Sequence, residues 1–108
     1  MRRHRLPAFA LLCLLTPCLA AQERKPTPTA AHLAYGPHER QVLDFWKANS
    51  EQPAPLVLYI HGGGWQGGDK SSLGAAAIQR YLDAGIAVAA INYRYVKQAA
   101  AANVEPPV

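Results

Sequence analysis

The stretch of sequence that decides the fold reads Leu56-Val57-Leu58-Tyr59-Ile60-His61-Gly62-Gly63-Gly64-Trp65. Its first five residues form a continuous apolar run of strand-forming residues, which predicts a β-strand covered on both faces. A glycine-rich segment follows as far as Gly68, and Ser71 or Ser72 is suited to cap a helix after it. A buried strand that leads through glycines into a helix is a place where backbone N–H groups bind an anion.

The residues after this stretch predict a helix and then a second buried strand. Apolar residues recur at helical spacing at Leu73, Ala76, Ala77, Ile78, Tyr81 and Leu82. Gly85 stands where a helix commonly ends in the left-handed conformation, and residues 86–91 are apolar throughout. A strand, a helix and a strand with short connections predict a right-handed βαβ unit.

The residues before this stretch predict two short strands. Residues 32–35 suit a strand that ends at the turn Gly36-Pro37. Residues 41–46 alternate, with Leu43 and Phe45 on one apolar face, which predicts an antiparallel edge strand. Residues 22–31 are polar, contain two prolines and predict a flexible leader.

The N-terminus has the three parts of a secretory signal peptide. Residues 1–5 are strongly basic, residues 6–20 are mainly apolar, and small residues at Ala20 and Ala21 suit cleavage after either one. The apolar run is shorter than the roughly 20 residues of a membrane-spanning helix and contains two prolines. The sequence therefore predicts a signal peptide over residues 1–21 and export to the periplasm or beyond, without a membrane anchor after cleavage. Acylation at Cys18 is the alternative, although Pro17 fits a lipobox poorly.

Removal of the signal peptide changes what charge and cysteines imply. The chain has 108 residues with a net charge of +4, but Arg2, Arg3 and Arg5 belong to the signal. Eight basic residues then face seven acidic ones, so the basic balance is no argument for nucleic acid. Cys13 and Cys18 also lie in the signal, which leaves the mature chain without a disulfide.

A phosphate-binding loop is the first alternative for the glycine-rich segment. A Walker-type loop needs a lysine after its last glycine; Gly63 and Gly68 have the required separation, but Asp69 occupies the lysine position and Lys70 is displaced by one. A carboxylate beside phosphates is repulsive. The dinucleotide pattern G-x-G-x-x-G also fits poorly, because the segment contains extra glycines and the bulky Trp65.

An oxyanion loop fits better. His61-Gly62-Gly63-Gly64-Trp65, directly after an apolar strand, resembles the HGGG loop of α/β-hydrolase esterases and lipases. The segments that resemble successive elements of secreted bacterial esterases of this superfamily are Tyr35-Gly36, Gln41-Val42-Leu43-Asp44-Phe45, Gly67-Gly68-Asp69-Lys70-Ser71 and Ile91-Asn92-Tyr93-Arg94. The resemblance covers residues 34–95 and implies a partial α/β-hydrolase fold over residues 32–108, made of the N-terminal strands and one βαβ unit.

The resemblance also implies roles. Gly63 and Gly64 match the glycines whose N–H groups form the oxyanion hole, and Trp65 beside them is expected to help wall the acyl pocket. The residues expected to support the loop are His61, Gly62, Trp65, Asp69 and Lys70. For His61 the expected role is to pin the turn, not to act as the catalytic base. A solvated helix start explains Asp69 and Lys70 equally well. Tyr93 and Arg94 are expected to brace the end of the strand.

The catalytic triad of the superfamily is not found in this sequence. Its nucleophile lies in a G-x-S-x-G elbow, and none of the three serines Ser50, Ser71 and Ser72 has that context. The acid and the base follow the nucleophile in this superfamily, so all three are expected beyond Val108. The four histidines are His4, His32, His38 and His61. They have no H-x-x-x-H spacing, so neither a metal nor another cofactor is predicted.

These observations predict the N-terminal fragment of a carboxylic-ester hydrolase, truncated before the nucleophile elbow and inactive by itself. The substrate of the complete parent is expected to be a small-molecule or carbohydrate-linked ester. A small secreted, non-catalytic binding or interaction protein is the alternative, and a nucleotide-binding module is disfavoured by Asp69 and by export. A fragment that ends at Val108 leaves the strand of residues 56–60 as an apolar edge, so instability or self-association is expected.

Overall fold

The computed structural model describes residues 23–102, and the predicted signal peptide over residues 1–21 lies outside them. The strands are β1 (Ala30–Ala34), β2 (Val42–Trp46), β3 (Leu56–Ile60) and β4 (Ala87–Ile91). A 3₁₀ turn at Lys70–Ser72 and helix α1 (Ala75–Asp83) connect β3 to β4, and helix α2 (Val96–Ala101) follows β4. A mixed four-stranded sheet with two helices is consistent with a partial α/β fold.

The sheet has the order β1-β2-β4-β3. The β1–β2 and β2–β4 pairs are antiparallel, whereas β3 and β4 are parallel and in register from Leu56 opposite Ala87 to Ile60 opposite Ile91. The predicted strand–helix–strand unit is therefore confirmed as β3, α1 and the adjacent parallel β4. Gly85, at the end of α1, has a φ of +74° as predicted, which a residue with a side chain adopts only under strain.

The core lies between α1 and the sheet. Ile78 on α1 and Val88 on β4 are fully buried. The same cluster contains Trp46, Leu73 and Ala90, with Tyr59, Ala77, Tyr81 and Leu82 packed against it. The apolar positions predicted for the helix therefore face this core with one exception, Ala76, which is exposed. Leu73 packs in the cluster although it precedes the first residue of α1.

Two predictions about β2 and the helix start are wrong. β2 is an inner strand and not an edge, because β1 pairs along one side of it and β4 along the other. Neither Ser71 nor Ser72 caps a helix. Asp69 caps the 3₁₀ turn by accepting a hydrogen bond from the Ser71 N–H at 2.8 Å, and α1 starts after Gly74 without a side-chain cap.

Strand β3 lies at the edge of the sheet that the described residues form. Leu56, Leu58 and Ile60 point to one face and are 56%, 53% and 59% exposed, while Val57 and Tyr59 on the other face are half-buried. The expectation that β3 is covered on both faces is therefore wrong within residues 23–102. An uncharged apolar run placed at an edge presents both unpaired backbone groups and an apolar surface.

Residues 23–29, part of the predicted leader, contact the sheet. The indole N–H of Trp46 donates to the Pro26 carbonyl at 2.8 Å, and the Lys47 N–H donates to the Thr29 hydroxyl at 2.9 Å. The Lys25 ammonium donates to the Ser71 carbonyl at 3.0 Å. Strand β1 then begins at Ala30, so the last two residues of the predicted leader, Ala30 and Ala31, belong to the strand. Within residues 23–102, the helices are too short to cross a membrane.

Candidate oxyanion site

The glycine-rich loop leaves the sheet at the carboxyl end of β3. It runs from His61 to Asp69 and leads into the 3₁₀ turn that starts at Lys70. In open α/β sheets, ligands bind outside the carboxyl ends of the parallel strands. The loop therefore occupies the position at which this fold class places its active sites.

The centre of the loop is a tight turn that starts at Gly63. The Gly63 carbonyl accepts hydrogen bonds from the Gln66 N–H at 3.0 Å and the Gly67 N–H at 3.2 Å. The two residues inside the turn, Gly64 and Trp65, have φ values of +59° and +57°. A tryptophan in this left-handed conformation costs about 1–2 kcal/mol of backbone strain, which the rest of the loop must offset.

The amides of Gly63 and Gly64 are exposed donors. Within residues 23–102, no protein oxygen accepts a hydrogen bond from either N–H group. Both residues are exposed, as is Trp65 beside them, whose side chain is 47% exposed. Free N–H groups on adjacent glycines have the chemistry needed to bind an oxyanion.

The amides at the start of the 3₁₀ turn are not free in the same way. The Asp69 carboxylate already accepts from the Ser71 N–H at 2.8 Å, and the Asn92 side chain takes the Lys70 N–H at 2.8 Å. An incoming anion at this point would displace a carboxylate. The N–H groups of Gly63 and Gly64 have no such partner among residues 23–102, so an anion would meet free donors there and not at the 3₁₀ turn, which weakens the phosphate-loop alternative further.

Gly63 and Gly68 lie too close to neighbouring atoms for either residue to carry a side chain. A Cβ atom on Gly63, whose φ is +129°, would collide with the Gly67 carbonyl. A Cβ atom on Gly68, whose φ is +95°, would collide with the Gly62 carbonyl and the His61 imidazole. The return segment at Gly67 and Gly68 therefore lies directly against the segment that carries the candidate amides.

His61 is buried under the loop. Its side chain is 3% exposed and stacks on the Tyr93 ring, with 4.4 Å between the ring centroids. Nδ1 lies 2.8 Å from the Gly62 carbonyl oxygen, and because that oxygen can only accept, Nδ1 carries the proton. The Tyr93 hydroxyl donates to the His61 carbonyl at 2.8 Å. These contacts fix the turn from below and leave the imidazole away from solvent.

A polar network ties the end of the loop to the sheet. The Asn92 side chain accepts from the Lys70 N–H and donates to Asp69 Oδ2 at 2.9 Å. Hydrogen bonds from the Ser71 N–H and from Asn92 hold the pKa of the Asp69 carboxyl well below its usual value. Asn92 follows β4 and is itself buried, so the network joins the loop to that strand.

Lys70 is also buried and pairs with Asp44 on β2. Its ammonium lies 2.6 Å from Asp44 Oδ2. Burial acts to raise the pKa of Asp44, but the hydrogen bond and charge of Lys70, together with the His32 N–H, prevail and lower it. Both partners are thus charged, and the pair connects the 3₁₀ turn to the middle of the sheet.

Two of the residues that hold the loop were not singled out from the sequence. Arg40, in the turn before β2, and Tyr95, before α2, both donate to the Gly68 carbonyl. The Tyr35 hydroxyl donates to the Asn92 carbonyl, and burial raises the pKa of this phenol. The resemblance of the segment Ile91-Asn92-Tyr93-Arg94 to the family pointed to Asn92. No sequence pattern pointed to Arg40, because an arginine in a polar turn is usually solvated.

The serines and His38 make hydrogen bonds within turns and none to Gly63 or Gly64. Ser72 Oγ donates to the Asp69 carbonyl at 2.7 Å and Ser50 Oγ to the Gln52 carbonyl at 3.1 Å. His38 Nδ1 accepts from the Arg40 N–H at 3.0 Å, so it also serves a turn. Residues 23–102 contain no group of three or more His, Cys, Asp or Glu side chains that could hold a metal ion.

Comparison with known proteins identifies the class. The family model BD-FAE matches residues 43–105, more than half of the chain, and the chain belongs to this family, which is of the α/β-hydrolase type. The match begins in β2 and includes the whole glycine-rich loop and β4.

Two curated proteins are similar over the same part of the chain. A kynurenine formamidase from Danio rerio is 37% identical over 71 residues, which are 65% of this chain and 24% of that protein. Esterase LipC from Mycobacterium tuberculosis is 32% identical over 62 residues, 56% of this chain and 15% of that protein. The chain thus spans no more than about a quarter of the curated relatives it matches. No solved structure gives a significant match.

Proposed function

We propose that this chain is the N-terminal part of a serine-dependent carboxylic-ester hydrolase, in which the amides of Gly63 and Gly64 form the oxyanion hole. The observation that carries the proposal is the pair of exposed N–H groups without a protein acceptor in residues 23–102, on a glycine turn at the carboxyl end of a parallel strand. Membership of an α/β-hydrolase-type family supports it.

The chemistry that this site supplies is stabilisation of charge. When a nucleophile attacks an ester carbonyl, the oxygen gains negative charge, and N–H groups fixed in place beforehand bind it without further reorganisation. Loss of one such donor costs about 10²–10³ in rate. None of the three serines in this sequence lies in the G-x-S-x-G context of the superfamily's nucleophile, so the proposal requires a nucleophile, acid and base that these residues do not supply.

The remaining loop residues hold the two amides. His61, Gly62 and Tyr93 support the turn from below, while Asp69 and Lys70 anchor its end to Asn92 and Asp44. Trp65 carries an exposed indole next to the amides and forms part of the wall that contacts the acyl group. Its carbonyl accepts from the Val96 N–H at 3.0 Å, which ties this wall to α2.

The substrate class is a small-molecule or carbohydrate-linked ester, and the protein acts after export. The predicted signal peptide over residues 1–21 supports export, and the near-neutral charge of the rest of the chain gives no support to nucleic acid as a partner. The two curated relatives, a formamidase and an esterase, both have names that describe hydrolysis of an acyl group, which favours this reaction type.

The experiment that tests the proposal begins with the coding DNA downstream of the Val108 codon. The expected result is an open frame that continues into a G-x-S-x-G elbow and later Asp and His codons. The complete protein should then hydrolyse 4-nitrophenyl acetate and be labelled by a fluorophosphonate. A verified stop codon after Val108, or a complete protein that neither hydrolyses esters nor takes the label, contradicts the proposal and favours a non-catalytic binding protein.

A further inference from the structure

The carbonyl of Gly68 binds groups from two separate parts of the chain. It accepts hydrogen bonds from Arg40 Nη2 at 3.1 Å and from the Tyr95 hydroxyl. Arg40 lies between β1 and β2, and Tyr95 lies between β4 and α2. The return segment of the glycine loop is therefore held by two residues outside the loop.

The Arg40 guanidinium makes several contacts at once. Nε donates to the Tyr93 carbonyl at 3.0 Å, and Nη1 lies 3.9 Å from Asp69 Oδ2. The guanidinium carbon lies 4.0 Å from the centre of the Tyr95 ring, so the group stacks on that ring. The Arg40 side chain is 17% exposed, which is low for an arginine in a turn.

Gly68 lies in close backbone contact with the segment that carries the candidate amides. Gly68 packs so closely on His61 and Gly62 that no Cβ atom fits between them, and Gly67 packs in the same way on Gly63. We therefore expect a displacement of the Gly68 carbonyl to reach Gly63 through these backbone contacts.

We propose that Arg40 is a positioning residue for the oxyanion loop and that its guanidinium holds the loop in place, as a clamp, through the Gly68 carbonyl. This proposal rests on the function proposed above. Arg40 does not touch the reacting atoms. It acts through Gly68 to keep the Gly63 and Gly64 amides at the place where charge develops in the transition state.

The contacts require a guanidinium and not simply a positive charge. Arginine presents five N–H donors in a rigid planar fork and stacks on aromatic rings, whereas lysine presents one compact ammonium. A lysine at position 40 could reach one of the two carbonyls that Arg40 binds, at Gly68 or Tyr93, but not both while it lies on the Tyr95 ring. Arg40→Lys therefore preserves the charge and removes the clamp.

The expected kinetic signature is selective. Interactions made only with the transition state affect kcat, whereas those made equally with bound substrate affect KM. A displaced oxyanion hole should lower kcat by about 10-fold to 10²-fold, as small misplacements of catalytic groups do, and change KM by less than about 2-fold. The Ki of a trifluoromethyl ketone, which forms a tetrahedral adduct, should rise in proportion to the loss in kcat.

The test compares Arg40→Lys with the control Arg80→Lys in the complete protein. Arg80 lies on the exposed side of α1, away from the loop, so its replacement should leave kcat, KM and Ki unchanged. Rates are divided by the number of sites that a fluorophosphonate labels, so that unfolded protein does not contribute. A kcat per labelled site that is the same for Arg40→Lys and Arg80→Lys overturns the proposal, and so does a change confined to KM.

A second measurement separates this proposal from the proposed function. Hydrogen exchange of the Gly63 and Gly64 amides, followed by NMR in the same variants, reports on the loop without any substrate. Faster exchange in Arg40→Lys than in Arg80→Lys supports the clamp even if the wild-type protein has no esterase activity, in which case only the proposed function fails. Equal exchange and unchanged amide shifts in both variants overturn the clamp.

Discussion

The ammonium of Lys70 lies 2.6 Å from Asp44 Oδ2, in a pair whose side chains are 6% and 14% exposed. The pair joins the 3₁₀ turn at the end of the glycine loop to strand β2 in the interior of the sheet. Asp44 also accepts a hydrogen bond from the His32 N–H at 2.9 Å, so its carboxylate is well compensated. The end of the loop is therefore fixed to the sheet by a buried charge pair.

Replacement of one partner of this pair should be costly. Lys70→Met leaves the Asp44 carboxylate buried without its counter-charge, which we expect to lower the free energy of unfolding by about 3–5 kcal/mol. The double variant Asp44→Leu/Lys70→Met removes both charges and should lose less than Lys70→Met alone. Urea denaturation of the complete protein measures both. A loss in the double variant that equals the sum of the losses in Asp44→Leu and Lys70→Met would contradict the coupling.

Acid should weaken the same region. The folded-state pKa values of Asp44 and Asp69 are both lowered, so their contribution to stability is full above the ordinary carboxyl pKa of about 4. This contribution to stability is lost as the pH falls through the lowered folded-state pKa values, because the two carboxylates bind protons more readily in the unfolded chain than in the folded one. The free energy of unfolding, measured from pH 6 to pH 2, should fall steeply below pH 4.

Asp69→Asn tests the source of this dependence. The variant should be less stable than the wild type at pH 6 and should lose less stability between pH 5 and pH 2. Asp83→Asn, at the exposed end of α1, is the matched control. If both variants have the same pH profile as the wild type, the hydrogen bonds from Ser71 and Asn92 to Asp69 do not contribute to stability as described.

The glycines of the loop should differ sharply in their tolerance of a side chain. Gly63→Ala introduces a Cβ atom that collides with the Gly67 carbonyl and forces alanine to a positive φ, which we expect to cost more than about 2 kcal/mol. Gly62→Ala meets no atom within 4 Å and should change stability by less than about 0.5 kcal/mol. Equal thermal shifts for the two variants would contradict this account of the turn.

The left-handed conformation of Trp65 predicts an unusual ranking of substitutions. Trp65→Ala removes the indole but keeps the Cβ atom, whereas Trp65→Gly also removes the backbone strain. We expect the glycine variant to be more stable than the alanine variant by about 1 kcal/mol, even though glycine has the more flexible unfolded state. Chemical denaturation of both variants measures the difference. An alanine variant of equal or greater stability would mean that this backbone is not strained.

The exposed face of β3 predicts the behaviour of the chain in isolation. A chain of residues 22–108 should self-associate, because Leu56, Leu58 and Ile60 present an apolar face on an unpaired edge within the described residues. Leu58→Lys should reduce association in sedimentation velocity, while Val96→Lys, at an exposed apolar residue of α2, should not. A monomeric wild-type chain with a sharp cooperative melt would overturn this prediction.

The sequence predicted the strands and the βαβ unit because local patterns determine them. The apolar run at residues 56–60, the helical spacing from Leu73 to Leu82 and Gly85 at the helix end each act within a few residues. The place of β2 inside the sheet could not be predicted from its alternation, since the pairing of β1 depends on contacts across the fold. The helix start was also misplaced, because both serines lie in a 3₁₀ turn that Asp69 caps and α1 begins only after Gly74.

The candidate site was predicted in part. The glycines were visible because a run of three after a strand has few structural explanations. Arg40 and Asp44 were not assigned to the loop, since their partners Gly68 and Lys70 are more than 25 residues away along the chain. Contacts of this kind depend on tertiary packing, which the periodicity of a single sequence does not encode.

The most direct test of the central claim is the crystal structure of the complete protein after reaction with a phosphonate ester. The phosphonyl oxygen takes the place of the oxyanion in such an adduct. The account predicts this oxygen at about 2.7–3.1 Å from the amide nitrogens of Gly63 and Gly64, with Trp65 against the substituent. An oxygen bound by other donors, or a complete protein that forms no adduct, would contradict the assignment of this loop as an oxyanion hole.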